Sequence, residues 1–364
     1  MSTETIGVLI IAEAGVNHNG SLERALTMID AAAAAGADFV KFQTFRADEL
    51  ASSRAPKAAY QLAHTDAAQS QLEMLRQLQL SGAAYEALCA HAARRNIAML
   101  STPFDLPSIQ LLTEQLGMQL LKVSSGEITN GPFLLEIART GCEVILSTGM
   151  SSLAEVEAAL AVLAFGYTEA LQGGPPTQDA FANAYASAAG RGALLRRVRL
   201  LHCTTEYPAP FAEVNLLAMD TLAAAFGLQV GLSDHTSGIH VAVAAVARGA
   251  RIVEKHFTLD RTLAGPDHAA SLEPQELALM VRQIRDVEAA LGDGIKRPAS
   301  SEYKNRSVAR KYLVASRRIE AGETFSRQNV GCKRTGGGIS PMDYWSVLGR
   351  VASREFEPDD PIVL

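Results

Sequence analysis

Eight short β-rich runs, at residues 7–12, 39–42, 97–100, 120–123, 143–146, 198–201, 229–232 and 251–253, recur through the first 255 residues. Helical patterns at 22–35, 84–94, 108–116, 134–140 and 153–164 separate them. This alternation predicts an α/β fold with parallel strands, and eight repeats predict a (β/α)8 TIM barrel, with a doubly wound open sheet as the competitor. The residues that end each run separate the two. They read Glu13; Lys41 with Gln43; Ser101-Thr102; Ser124-Ser125-Gly126-Glu127; Ser147-Thr148-Gly149; His202 with Thr204-Thr205; Ser233-Asp234-His235; and Glu254-Lys255-His256. An open sheet gathers polar groups at two or three strand ends near its switch point, whereas a closed barrel brings all eight round one mouth.

The last two strand ends carry the sharpest signal. An Ala/Val-rich segment long enough for one helix separates them, so His235 and His256 emerge from adjacent parallel strands. With Asp234, Glu254 and Asp267 flanking them, two imidazoles can hold one divalent cation and leave positions open for substrate. The alternative is that each histidine caps its strand and bonds a backbone carbonyl. Mixed nitrogen and oxygen ligation favours Mn²⁺ and allows Mg²⁺. Lys41 and Lys122 stand beside the hydroxyls of Thr102, Ser125, Ser147 and Ser233, a cradle for a phosphate or carboxylate. Equally, those lysines can pair structurally with Glu13 or Glu127. Glu13 and Glu127 are the carboxylates placed for proton transfer. His18 and His202 stand alone, without the HxH pair that many metal hydrolases carry after strand one. Neither a GxGxxG nor a Walker pattern occurs, which disfavours dinucleotides and ATP.

Two segments break the rhythm. Residues 44–82 are long and polar, include Ala55-Pro56-Lys57 and Tyr60-Gln61, and are expected to form a loop and helix over the mouth. Residues 165–197, with Gly173-Gly174-Pro175-Pro176, are expected to be a surface insertion. A helix at 274–291 closes a first domain of residues 1–291, a linker spans 292–311, and 312–364 form a small, mostly β module. Within that module Val314-Ala315-Ser316-Arg317 and the turn at 319–323 recur as Val351-Ala352-Ser353-Arg354 and 356–360, which suggests pseudo-twofold symmetry. Lys333-Arg334-Thr335 followed by three glycines makes a cationic tip between the copies. A net charge of −6 without a basic cluster argues against nucleic acid. Cys89, Cys142, Cys203 and Cys332 are scattered, no run reaches membrane-spanning length, and MSTET is no secretory n-region, so a soluble cytoplasmic protein is expected.

The motifs IAEAGVNHNGS, VKFQTF, STPFD, LKVSSGE, ILSTGM, LHCTTEYPAPF, VGLSDHT, IVEKHFTLD, GPDHAASLEP and KRTGGGISP resemble, in order and over nearly the whole chain, the sialic acid synthases and more broadly the nonulosonate synthases. The resemblance implies condensation of phosphoenolpyruvate with an N-acetylated aldose. It also implies a C-terminal antifreeze-like (SAF) domain and a homodimer in which each small domain covers the partner's active site. Residue by residue, it assigns His235 and His256 to the metal and Lys41, Thr102, Lys122, Ser125, Ser147 and Ser233 to phosphoenolpyruvate. Gln43, Glu127, Tyr207 and Asp267 would meet the sugar, Glu13 would move the proton, and Arg334 would reach the N-acetyl group in the neighbouring subunit. Departures are the length of 165–197, Thr205 in place of asparagine in some members, and KRTG for KRPG. The implied reaction is attack of C3 of phosphoenolpyruvate on a metal-polarised aldehyde, then water addition at C2 and loss of phosphate by C–O cleavage. N-acetylneuraminate from N-acetylmannosamine is the preferred product, with N,N'-diacetyllegionaminate from 2,4-diacetamido-2,4,6-trideoxymannose its nearest rival; pseudaminate fits the GPDH segment less well. From other classes, a metal-dependent barrel hydrolase and a non-catalytic binding protein remain the alternatives.

Overall fold

The computed structural model describes residues 7–58, 61, 62, 65, 69–172 and 174–364, so Tyr60 and Gly173 lie outside the described residues. The chain divides into two compact units, 1–292 and 293–364. In the first, β1 (Leu9–Gly15), β2 (Phe39–Thr44), β3 (Ala98–Pro103), β4 (Leu120–Val123), β5 (Glu143–Ser147), β6 (Val198–Cys203), β7 (Gln229–Asp234) and β8 (Ile252–His256) form one parallel sheet. Its order is β3-β2-β1-β8-β7-β6-β5-β4, and β3 and β4 lie side by side, which nearly closes the expected barrel.

The interior explains where the site must be. Ile11, Leu100, Ile145, Leu201 and Ile252, on five different strands, pack on one another with Phe39 and Leu120 against them. Side chains alternate faces along a strand, so the next inward residues are Glu13, Thr102, Ser147, Cys203, Glu254, Lys41 and Lys122. One step along seven of the eight staves therefore turns an apolar plug into a polar floor. Seven of the strands run one to three residues past the apolar runs seen in the sequence, because the ladder continues where hydrophobicity stops. Gly231 lets β7 and β8 approach closely, since a Cβ there would lie 2.2 Å from the Ile252 carbonyl oxygen.

Outward-facing residues bury against the helices. Ile10, Val40 and Phe42, for example, pack with Met28 and Ile29 of the helix Leu22–Ala34 and with Met280 and Ile284 of the helix Pro274–Leu291. The expectation for 165–197 needs correction. The helix begun at Leu153 continues to Gln172, and the helices Gln178–Ala186 and Ala188–Arg197 pack on it. Phe165 is fully buried and meets Phe181 edge-on at 5.3 Å, while Ala184 and Leu194 join the core. The segment is a helical layer rather than a surface excursion. Its alanine-rich composition gives little apolar contrast between faces, so the sequence pattern hides it.

The described residues of segment 44–82 behave as expected of a cover. The short helix Ala47–Leu50 and the helix Gln71–Leu78, started by a Ser70/Glu73 capping box, bury Met74 and Leu78 against Val16 and Phe45.

In the second unit, residues 293–311 carry a 3₁₀ turn at Ser300–Glu302 and a helix at Tyr303–Ala309. β9 (Tyr312–Ala315) and β10 (Val330–Lys333) pair antiparallel. The internal repeat appears as a local twofold: Ile319 and Phe356, equivalent in the two copies, exchange both backbone hydrogen bonds at 2.9 Å. Likewise Ala315 N–H donates to Asp360 O at 2.9 Å and its counterpart Ala352 N–H donates to Glu323 O at 2.8 Å. Leu313, Ile319, Phe325, Val347, Phe356 and Ile362 make its core. Among the described residues no helix is long and apolar enough to cross a membrane.

Candidate active site

A cavity of about 270 Å³ opens at the carboxyl ends of the strands. Its floor is the polar layer. Lys41 Nζ lies 3.0 Å from Glu13 Oε2 and 3.3 Å from Glu254 Oε2, and donates to Thr102 Oγ1 at 3.1 Å. Lys122 Nζ lies 3.7 Å from Glu254 Oε1, which also accepts from Ser233 Oγ at 2.7 Å. Glu254 thus ties both lysines to β7. The two lysine and two glutamate side chains are at most 5% exposed.

The two carboxylates are driven apart by their surroundings. For Glu254 burial opposes ionisation, but Lys122 and Lys41 outweigh it and hold the carboxyl at about 2. At Glu13 burial wins over Lys41, and the charge of Glu254 adds to it, so its pKa is raised. Gln43 Nε2 donates to Glu13 Oε1 at 3.3 Å. Lys122 is lowered by burial, whereas the attraction of Glu13 and Glu254 overcomes burial at Lys41 and raises it. The same lysines therefore act oppositely against burial at the two carboxyls: they lower Glu254 and fail to lower Glu13.

Both histidines turn to the same cavity. Their ring centroids are 5.6 Å apart, and Tyr207 stacks on His235 at 4.2 Å and meets His256 edge-on at 5.6 Å. His235 Nδ1 donates to Thr204 O at 2.7 Å, which leaves the lone pair on Nε2, 3.3 Å from Ser233 Oγ. The backbone-capping alternative therefore describes one nitrogen of one ring. His256 Nδ1 is buried without a hydrogen-bond partner, 3.9 Å from Asp267 Oδ2. Burial lowers His235 to about 4 and His256 well below its ordinary value, so both rings are neutral. Burial and the charge of Glu13 push Asp267 up to about 7. Among the described residues no cluster of three or more His, Cys, Asp or Glu is arranged for a metal. Two neutral imidazoles, one with an orphaned buried nitrogen, nevertheless suit a divalent ion whose other positions are filled by substrate oxygens and water.

The remaining residues divide clearly. Ser125 and Ser147 line the cavity, and Ser125 Oγ accepts from Gly149 N–H at 3.0 Å and lies 3.1 Å from Cys203 Sγ. Gln61, Met74, Leu75 and Leu78 of the cover form one wall. Glu127 is not among the lining residues; its Oε2 accepts from Asn130 Nδ2 at 2.7 Å in the loop after β4. Asp234 does not flank the cavity either. It faces the opposite side of the sheet and pairs with Lys255 at 2.8 Å, because it alternates with Ser233 and His235. His202 Nε2 bonds Val214 O at 2.6 Å, and His18 is buried with Nδ1 accepting from Gly20 N–H at 3.0 Å. Arg334 is exposed in the second unit. The sequence marks Glu254 only as a flank of the metal and gives Cys203 no role, although the period of two from His256 and Leu201 makes both inward-facing.

Residues 28–296 match the NeuB family and residues 310–364 the SAF domain. The chain is 51% identical to N,N'-diacetyllegionaminic acid synthase of Campylobacter jejuni, over 97% of this chain and 98% of that protein. It is 41% identical to the protein of the same name from Legionella pneumophila, over 93% of this chain and 89% of the relative. The crystal structure of the N-acetylneuraminic acid synthetase of Leptospira borgpetersenii superposes with a TM-score of 0.66 at 33% identity, covering 82% of this chain and 90% of that one.

Proposed function

Because the chain belongs to the NeuB family and ends in a SAF domain, we propose that it condenses phosphoenolpyruvate with 2,4-diacetamido-2,4,6-trideoxymannose to give N,N'-diacetyllegionaminate and phosphate. The observation that carries this choice of aldose is the 51% identity, end to end, with a relative named for that product. Identity to the N-acetylneuraminic acid synthetase is 33%, so N-acetylmannosamine, preferred on motifs alone, becomes the second choice.

The cavity's chemistry supports the reaction class. Lys41 and Lys122, with Thr102, Ser125, Ser147 and Ser233, offer two ammonium groups and four hydroxyls to a small phosphorylated carboxylate. Glu254 balances those charges before the substrate arrives. A divalent ion held by His235 and His256, Mn²⁺ rather than Mg²⁺ given imidazole ligands, would polarise the aldehyde oxygen as a Lewis acid. Glu13, whose pKa burial raises, is the group placed to give a proton to the aldehyde oxygen as C3 of phosphoenolpyruvate bonds to the aldehyde carbon. As a carboxylate it then takes a proton from the water that adds at C2. Collapse of the resulting tetrahedral centre breaks the C2–O bond, and the C2 hydroxyl proton leaves with phosphate. Gln43 holds Glu13, Tyr207 and Asp267 border the sugar's end, and Met74, Leu75 and Leu78 give the cavity an apolar wall. Arg334 of a second copy would bind an acetamido group in a homodimer. Glu127, bonded to Asn130 beside the lining residues Ser124–Gly126, is left out of the proton transfers in this reading.

Phosphate release is the test, measured with phosphoenolpyruvate, Mn²⁺ and each aldose in turn, with and without chelator. Turnover at least about tenfold faster in kcat/KM with the diacetamido sugar than with N-acetylmannosamine is expected. Preference for N-acetylmannosamine would overturn the choice of aldose, and release without any aldose the synthase reading itself.

A further inference from the structure

Behind the two imidazoles lies a buried ion pair that takes no part in the chemistry above. Lys255 Nζ meets Asp234 Oδ2 at 2.8 Å, with side chains 0% and 1% exposed, and neither residue lines the cavity. Each stands immediately before a histidine: Asp234 before His235, Lys255 before His256. The β7–β8 ladder ends at this very register, Asp234 opposite Lys255. Beyond it His235 O turns away from β8 and accepts from Ala209 N–H at 2.9 Å. The other carboxylate oxygen, Asp234 Oδ1, accepts from Thr236 N–H at 2.9 Å and from Thr236 Oγ1 at 2.8 Å, bracketing His235 from its far side. Lys255 Nζ also donates to Thr236 O.

Nothing about stability requires such a pair. An ion pair this deep costs desolvation that an apolar pair of similar size avoids, so it contributes geometry more than stability. The geometry here is specific: it joins the residue before one imidazole to the residue before the other, where backbone pairing has run out. Resting on the metal reading above, we propose that Asp234 and Lys255, with Thr236, are positioning residues that hold His235 and His256 at the separation a divalent cation needs.

The test uses full-length Asp234→Asn, Lys255→Met and Thr236→Val, with Mn²⁺ affinity read by electron paramagnetic resonance of the free ion and apo-protein melting read alongside. Asp234→Asn or Lys255→Met should weaken Mn²⁺ binding roughly 10- to 100-fold, as changes behind metal ligands do. Thr236→Val keeps both charges and removes one bond, so it should weaken binding about threefold and serves where the charge variants do not fold. The double variant should lose no more than the worse single one, because the two residues act as one device. Folded variants that bind Mn²⁺ as the wild type does overturn the proposal. A wild type that binds Mn²⁺ no better than His256→Ala overturns the metal reading with it, and so is told apart from failure of the pair alone.

Discussion

Glu254→Gln is the perturbation whose outcome the cavity's electrostatics determine most directly. The substitution keeps shape and the bond from Ser233, yet removes the anion 3.3 Å from Lys41 and 3.7 Å from Lys122. At an effective dielectric near 20, each of those contacts is worth roughly 5 kcal/mol gross. The relieved desolvation of the carboxylate offsets part of this, and breaking a buried pair by removing one partner costs about 3–5 kcal/mol net. Burial already lowers Lys122, which points to the lower end. For a unit this large the melting temperature should fall on the order of 10 °C or somewhat less. Phosphoenolpyruvate should then act in the opposite sense. Its negative charges replace the missing carboxylate, so it should bind the variant more tightly than the wild type and restore most of the lost melting temperature. Thermal melting of metal-free protein at pH 7, titrated with phosphoenolpyruvate, measures both effects. A variant that melts with the wild type, or that loses phosphoenolpyruvate affinity, would refute the view of Glu254 as the counter-ion of the lysine pair.

Four further outcomes follow from the same geometry. Gly149→Ala places a methyl 2.4 Å from Thr205 Oγ1, 2.6 Å from Cys203 Sγ and 2.9 Å from Ser125 Oγ, all on short side chains. The KM for phosphoenolpyruvate should rise about tenfold or more with only a few degrees lost in melting, and an unchanged KM would contradict Ser125 as a ligand. His18 is lowered to about 4 by burial, so its contribution to stability is complete above its ordinary value of 6.5 and lost as pH falls through 4. Between pH 7 and pH 5 the wild type should lose roughly 2 kcal/mol through this group that His18→Asn does not, by urea unfolding; equal losses would show that the ring is protonated in the fold. Arg334→Ala should raise the KM of the aldose far more than that of phosphoenolpyruvate, and equal effects would remove the sugar contact. His256→Ala should abolish chelator-sensitive turnover and cut Mn²⁺ affinity by at least about a hundredfold; retention of both would move the metal elsewhere.

Much of the site was legible in the chain because a barrel reads its strand ends into one place. Ser147, Ser233, His235 and His256 each follow an apolar run, and Lys41 and Lys122 are the one charge inside theirs, which marked them. Partners were not legible. Glu254 binds Lys41, Lys122 and Ser233 across three other strands, and no local pattern shows which of Glu13, Glu127 and Glu254 a lysine will meet. Asp234 read as a flank of the metal although it turns away from the cavity, since a cluster of charges in sequence ignores the alternation of a strand. The helices at 178–186 and 188–197 escaped notice because alanine supplies helix propensity without a strong apolar stripe.

The sequence by itself determined the architecture, the polar ring of strand ends and the module after it, because periodicity and the polarity of strand termini are local properties. Only the tertiary structure decided which carboxyl is lowered and which is raised, which nitrogen of each histidine is left for a ligand, and that Asp234 answers to Lys255. Those outcomes depend on burial and on distances of a few ångströms between residues far apart in the chain, and the closing of the barrel sets both.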